Sequence, residues 1–133
     1  MNRVVIHWRD GRTERGTTVD FIATKDRFHL LPWEADPGVR PKEVLHRDLK
    51  GIFFVRSLEG DSGHAKSNLF DASKPTLGRK IKVVFKDGEV LVGTTQGYQP
   101  GRPGFFVIPA DPRSNNERCY IITEATQDVI LLP

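Results

Sequence analysis

Apolar and polar positions alternate through much of this chain. Val4, Ile6 and Trp8 alternate with Val5, His7 and Arg9, and Ile81, Val83 and Phe85 alternate with Lys82, Val84 and Lys86. A period of two places one apolar row on a buried face, so both stretches predict β-strands. Asp10-Gly11 and Asp87-Gly88 follow directly. That pair is a strong hairpin signal, because glycine accepts the positive φ of a tight turn. Each second strand then holds an internal glycine, Gly16 or Gly93, which predicts a bulge or a sharp bend. Third strands are predicted at "RFHLL" and "GFFVI", stopped by Pro32 and Pro109. The fourth and fifth come from "EVLH" with "GIFFV" and from "CYIIT" with "DVILL", each pair separated by room for one helical turn. No stretch sustains a 3.6-residue period, so the predicted class is all-β.

The two sets of strands repeat one phrase. "WRDGRTERGTTVDF" and "FKDGEVLVGTTQGY" share Asp-Gly, Gly-Thr-Thr and their terminal aromatics, at an offset of 87 − 10 = 77 residues. The offset runs on without a gap through Phe28 over Phe105 and Pro32 over Pro109. An ungapped match of this length favours duplication over two chance hairpins. Five short, bent strands per copy predict two tandem small SH3-like or Sm-like five-stranded barrels, over residues 1–55 and 79–133. Residues 56–78, rich in Ser, Gly, Asp and Lys, read as a linker in which only Leu69 and Phe70 form an apolar pair. Units of this size are marginal alone. They are expected to pack on each other or on a second chain, which leaves room for a homo-oligomer. The copies also differ. Val90-Leu91-Val92 stands where the first copy has Thr13-Glu14-Arg15. A hairpin apolar on both faces predicts cover on both, expected from the first copy in preference to a partner.

Composition narrows the class further. The chain has 133 residues, a formal charge of +3 and one cysteine, Cys119. A lone cysteine excludes an internal disulfide framework and fits a reducing cytoplasm. No apolar run reaches the ~20 residues of a spanning helix, and the N-terminus lacks a signal-peptide pattern. The positive charge permits nucleic acid or an acidic partner without requiring either.

Candidate chemistry is sparse. "HRDLK" (46–50) matches the catalytic-loop phrase of protein kinases, but Phe53 stands where that loop needs Asn. "GDSGH" (60–64) resembles a protease nucleophile loop, yet it falls in the linker without partner groups. Four histidines and one cysteine show no metal-ligand spacing, so no metal or cofactor is predicted. The RxxxR and [DN]xSxxG elements of PilZ domains are absent. Cys119 reads as a small core residue.

The stretch "QGYQPGRPGFFVIPADPRSNNER" offers more. It combines Tyr98, Arg102, Phe106, Arg113, Asn115, Asn116 and Arg118 with Pro and Gly that stiffen the loops. Its counterpart in the first copy brings Lys25, Arg27 and Trp33. Singly, such residues shape turns or fill a core. Together, aromatic, arginine and amide groups on the loops at one barrel end predict a recognition surface.

"VVFKDGEVLVGTTQGY" resembles the first motif of Sm-like proteins, which implies a strongly bent five-stranded sheet. The Asp and Asn that Sm-like proteins use on uridine-rich RNA have no counterpart after Phe21 or Tyr98. A longer stretch, "FKDGEVLVGTTQGYQPGRPGFFVIPADPRSNNERCY", with "DLKGIFFVRSLEG" more loosely, is similar to an uncharacterised bacterial domain family. That resemblance implies a bacterial cytoplasmic protein associated with signalling modules and carries over no catalytic residue. The expectation is therefore a non-enzymatic regulatory adaptor that recognises a protein partner, away from membranes. A module for RNA or single-stranded nucleic acid is the alternative, and it requires its basic residues on one continuous face.

Overall fold

The computed structural model describes residues 1–60, 67–70, 73 and 75–133. The fold is all-β. Strands β1 (Asn2–Trp8), β2 (Thr13–Thr18), β3 (Arg27–Pro32), β4 (Lys42–Leu45) and β5 (Leu49–Val55) make up the first half. Strands β6 (Arg79–Phe85), β7 (Val90–Thr95), β8 (Gly104–Pro109), β9 (Asn116–Ile122) and β10 (Thr126–Leu131) make up the second. Single 3₁₀ turns at His46–Asp48 and Thr123–Ala125 join the last two strands of each half. These are the one-turn connections that the sequence predicts.

The ten strands among the described residues belong to one antiparallel sheet, in the order β10-β6-β7-β8-β9-β5-β1-β2-β3-β4. This corrects the expectation of two closed barrels, because the sheet does not close. The reason lies in the middle of that order. β5, the last strand of the first half, pairs with β9, the fourth of the second, from Gly51 opposite Ile121 to Val55 opposite Asn116. Hydrogen bonds that would otherwise end each half are spent on joining them.

Each half bends at its glycine. β3 pairs with β2 only through Leu31 and Pro32, and with β4 through Arg27 to Leu30, so it turns a corner between two neighbours. β8 does the same between β7 and β9. At the corner a side chain on Gly16 would overlap the Leu31 carbonyl oxygen, and one on Gly93 that of Ile108. Glycine is required there by close backbone approach.

Two cores lie side by side. The first contains Val4, Ile6, Phe28, Leu30, Leu49 and Ile52, and the second Ile81, Val83, Phe85, Phe105, Val107 and Cys119. The joining strands serve both. Phe54 of β5 with Tyr120 and Ile122 of β9 fills the first core, while Phe53 with Cys119 and Ile121 fills the second. Every residue of β5 is buried, which is why "GIFFV" is apolar without alternation. The connection between halves lies over the second-half hairpin, where Asn68 bonds the Val90 carbonyl and the Val92 amide at 3.5 and 3.4 Å. The contacts described there come from the connection and not from the first copy, and Val90 remains exposed. Leu69 is exposed too; Phe70 sits half-buried under the Lys80 ammonium. Of the protease-like phrase, residues 61–64 lie outside the described residues.

Candidate functional site: a groove along the seam

The seam between halves carries an open concavity. One wall is the loop after β2, where Phe21 turns its ring into the first core against Phe28, Phe54 and Tyr120. That anchor holds Ala23 and Thr24 at the groove edge. The other wall is the loop before β8, with Arg102, Pro103 and Gly104. Tyr120 lies between them and donates its hydroxyl to the Ala23 carbonyl at 3.2 Å. Its ring occupies the space that a side chain at position 104 would take, so Gly104 makes this placement feasible. Burial holds the Tyr120 phenol above its ordinary pKa, and it remains the neutral donor.

Two adjoining cavities result, an open groove of about 740 Å³ and a smaller one of about 250 Å³, sharing Ala23, Thr24, Pro103 and Tyr120. Phe105 and Phe106 line the larger; His46 and Ile122 line the smaller. His46 is 8% exposed, and its ring lies against Phe21, with centroids 5.4 Å apart. Burial lowers its pKa, outweighing the nearby Asp26 charge. The neutral imidazole suits this aromatic wall, and its Nε2 has no hydrogen-bond partner among the described residues.

The rim is charged. Asp26 is paired with Arg27 at 3.0 Å, a contact that holds its carboxyl below the ordinary value. Glu124 is paired with Arg9 at 3.0 Å. Lys25 and Arg47 at the smaller cavity and Arg102 at the larger have no acidic partner at ion-pair distance among the described residues. An apolar floor with uncompensated cations above it can seat an apolar side chain flanked by carboxylates. Among the described residues no group of three or more His, Cys, Asp or Glu could hold a metal ion.

The residues predicted from sequence do not form one site. Lys25, Arg102 and Phe106 meet at this groove. Tyr98 packs edge-on against Phe105 and belongs to the second core. Arg118 lies over the rings of Phe54 and Phe106, at 4.3 and 5.1 Å from their centroids. Arg27 is tied to Asp26 and Glu43 at the β4 edge. Asn115 clamps the backbone of Ser57 in both directions, at 2.9 and 3.1 Å, and Asn116 lines a cleft on the β5 side near Phe53. Arg113 is exposed, its amide bonded to Asp111. Trp33 lines a separate concavity in the first half. Sequence reasoning passed over Tyr120, Gly104 and Arg47. The signal was present in the aligned copies: Tyr120 and Gly104 stand where the first half has Glu43 and Arg27.

A model of a protein family of unknown function, DUF6982, matches residues 1–132. The chain belongs to that family. DUF6982 thus spans both halves of the sheet and the seam between them, so the family model covers the whole groove. No curated protein matches the chain, and no solved structure does. The DUF6982 chain has no described helix long and apolar enough to cross a membrane.

Proposed function

We propose that this DUF6982 protein is a non-enzymatic binding module of the regulatory-adaptor kind, and that its seam groove holds an acidic segment of a partner protein by an apolar anchor. The observation that carries this reading is the set of three uncompensated cations, Lys25, Arg47 and Arg102, around a groove floored by Phe106, Tyr120 and Ile122. The other basic candidates are engaged or lie elsewhere: Arg27 is paired with Asp26 and Glu43, Arg118 is stacked over Phe54 and Phe106, and Arg113 lies on another loop. Cations already engaged in this way support a protein partner over single-stranded nucleic acid, which needs a continuous track of available basic groups. We also infer that the two halves descend from one duplicated SH3-like or Sm-like unit. The support is that strands and 3₁₀ turns alike recur at the 77-residue offset. A reducing cytoplasm suits the single buried cysteine.

The test is a titration of the full chain with a fluorescein-labelled peptide alternating Glu and Phe. Saturable binding is expected, weakened about tenfold or more by K25E with R102E, at an unchanged melting temperature. Equal affinity in that double variant would remove the groove from the reading. Binding of a single-stranded oligonucleotide instead, falling steeply with salt, would put nucleic acid in the partner's place.

A further inference from the structure

The loop after β3 does different work in the two halves. In the second half it grips two passing segments of its own chain. Asn115 holds Ser57 through the paired bonds already described; its carbonyl accepts the Arg56 amide at 2.9 Å, and the Ser114 carbonyl accepts Arg56 Nε at 3.2 Å. Asp111 Oδ2 accepts the Ser67 amide at 3.3 Å. This loop therefore holds an arginine-bearing segment by backbone carbonyls and a neighbouring one by a carboxylate.

Among the described residues, no hydrogen bond ties the matching first-half loop to the connection between halves. Glu34 stands in the place of Asp111, Pro37 in that of Ser114 and Val39 in that of Asn116. The concavity there measures about 430 Å³, with Leu58 as one wall. Trp33 (39% exposed), Leu31 and Val39 present exposed apolar surface within it. Glu34 and Asp36, also in its lining, have no cation at ion-pair distance among the described residues. The loop is fixed before anything binds. The Trp33 amide bonds the Arg15 carbonyl at 2.9 Å, and turns close from Ala35 to Pro32 and from Val39 to Asp36. Glu34 keeps a left-handed φ of 59°, a conformation that costs a non-glycine residue energy and clusters at ligand clamps. A preorganised surface loses little freedom on binding.

We propose that this first-half loop docks an extended, basic segment of a partner protein, with an apolar side chain against Trp33 and Val39 and a cation at Glu34 and Asp36. The second-half loop, which holds Arg56 and Ser67, is its internal template. The surface is independent of the seam groove and opposite to it in charge, so one molecule would hold an acidic and a basic segment at separate places.

Trp8 and Trp33 are the two tryptophans, so W8F leaves Trp33 as the sole tryptophan reporter. The full-length W8F chain is titrated with a peptide alternating Arg and Leu, and with its Glu and Leu counterpart. The Arg peptide is expected to shift Trp33 emission to shorter wavelength with saturation. That affinity should fall about tenfold in E34K with D36K and stay unchanged in K25E with R102E. E34Q with D36N serves as the gentler pair should the reversals unfold the chain. An unmoved Trp33 spectrum, an equal shift with the Glu peptide, or undiminished affinity in the loop variants would overturn the proposal. None of those results bears on the Glu and Phe titration at the seam.

Discussion

Strands β5 and β10 hold the same place in their halves, 77 residues apart, and so do β9 and β4. β5 and β9 are joined in the middle of the sheet; β10 and β4 are its free edges. The strand order is shared, but the loop before the fourth strand is not, since left-handed φ occurs there only in the first half, at Glu34 and Gly38; side chains add to that difference. Phe53 is 4% exposed, whereas its counterpart Ile130 is 37% exposed. Lys50 is buried, reaching Asp87 and Glu89 at 2.7 Å each across the seam, with its ammonium over the Phe85 ring; its counterpart Gln127 is exposed. Tyr120 fills the first core, while Glu43 faces solvent and pairs with Arg27. β4 is short, follows Pro41 and starts with Lys42, which pairs with Glu14. Short length, proline and lysine are the devices by which sheets discourage further pairing at an edge. The comparison teaches that one strand template becomes a joint or a terminus according to one loop and a few side chains.

The largest effect expected from this comparison belongs to Phe53. F53A empties space in a core closed on both faces and should cost about 3–5 kcal/mol, whereas the matched I130A should cost less than about 1 kcal/mol, read from urea midpoints. Equal losses would mean that the joint is no better packed than the edge.

Next comes Lys50. Burial alone would lower its pKa, but the hydrogen bonds and charges of Asp87 and Glu89 outweigh that, and the pKa is raised. The Asp87 carboxyl is held below its ordinary value, first by the Lys50 hydrogen bond. K50M should cost about 1–3 kcal/mol near neutral pH, and Q127M at the edge close to nothing. The signs follow from linkage. A raised lysine contributes stability that is complete below its ordinary pKa of 10.5 and lost as pH climbs through the folded value. A lowered aspartate contributes stability present above 3.8 and lost as pH falls below it. The gap between wild type and K50M should therefore narrow at both extremes, and a gap constant from pH 2 to 12 would rule out this ion pair as its source.

The smallest effect separates Tyr120 from Glu43. Y120F removes the bond to Ala23 and should cost about 0.5–1.5 kcal/mol. E43Q loosens an exposed ion pair worth about 0–1 kcal/mol. Thermal melts of the two variants make the comparison.

Much of this fold is legible in the chain. Alternation marks β1 and β6, the Asp-Gly pairs mark the hairpins, and Gly16 and Gly93 mark the corners where a side chain would strike a carbonyl. What alternation does not carry is which element covers a strand buried on both faces. "GIFFV" is readable as a strand, but its pairing with β9 depends on residues about seventy positions away. That one pairing turns two expected barrels into a single open sheet. The site was legible only in pieces for the same reason. Lys25 and Arg102 were visible as exposed loop cations, but Tyr98 and Arg118 show the same residue types committed to packing. Composition does not separate a ring in a core from one on a groove floor.

The shared strands also govern how the chain folds as it is made. Tyr120 and Ile122 complete the first core, so a ribosome that has released only β1 to β5 leaves one edge of β5 unpaired and the Phe53 ring uncovered. Gly51 waits for Ile121, and closing so long a loop delays the pairing. The nascent first half is thus aggregation-prone until β9 emerges, and it stands to gain from a chaperone during that interval.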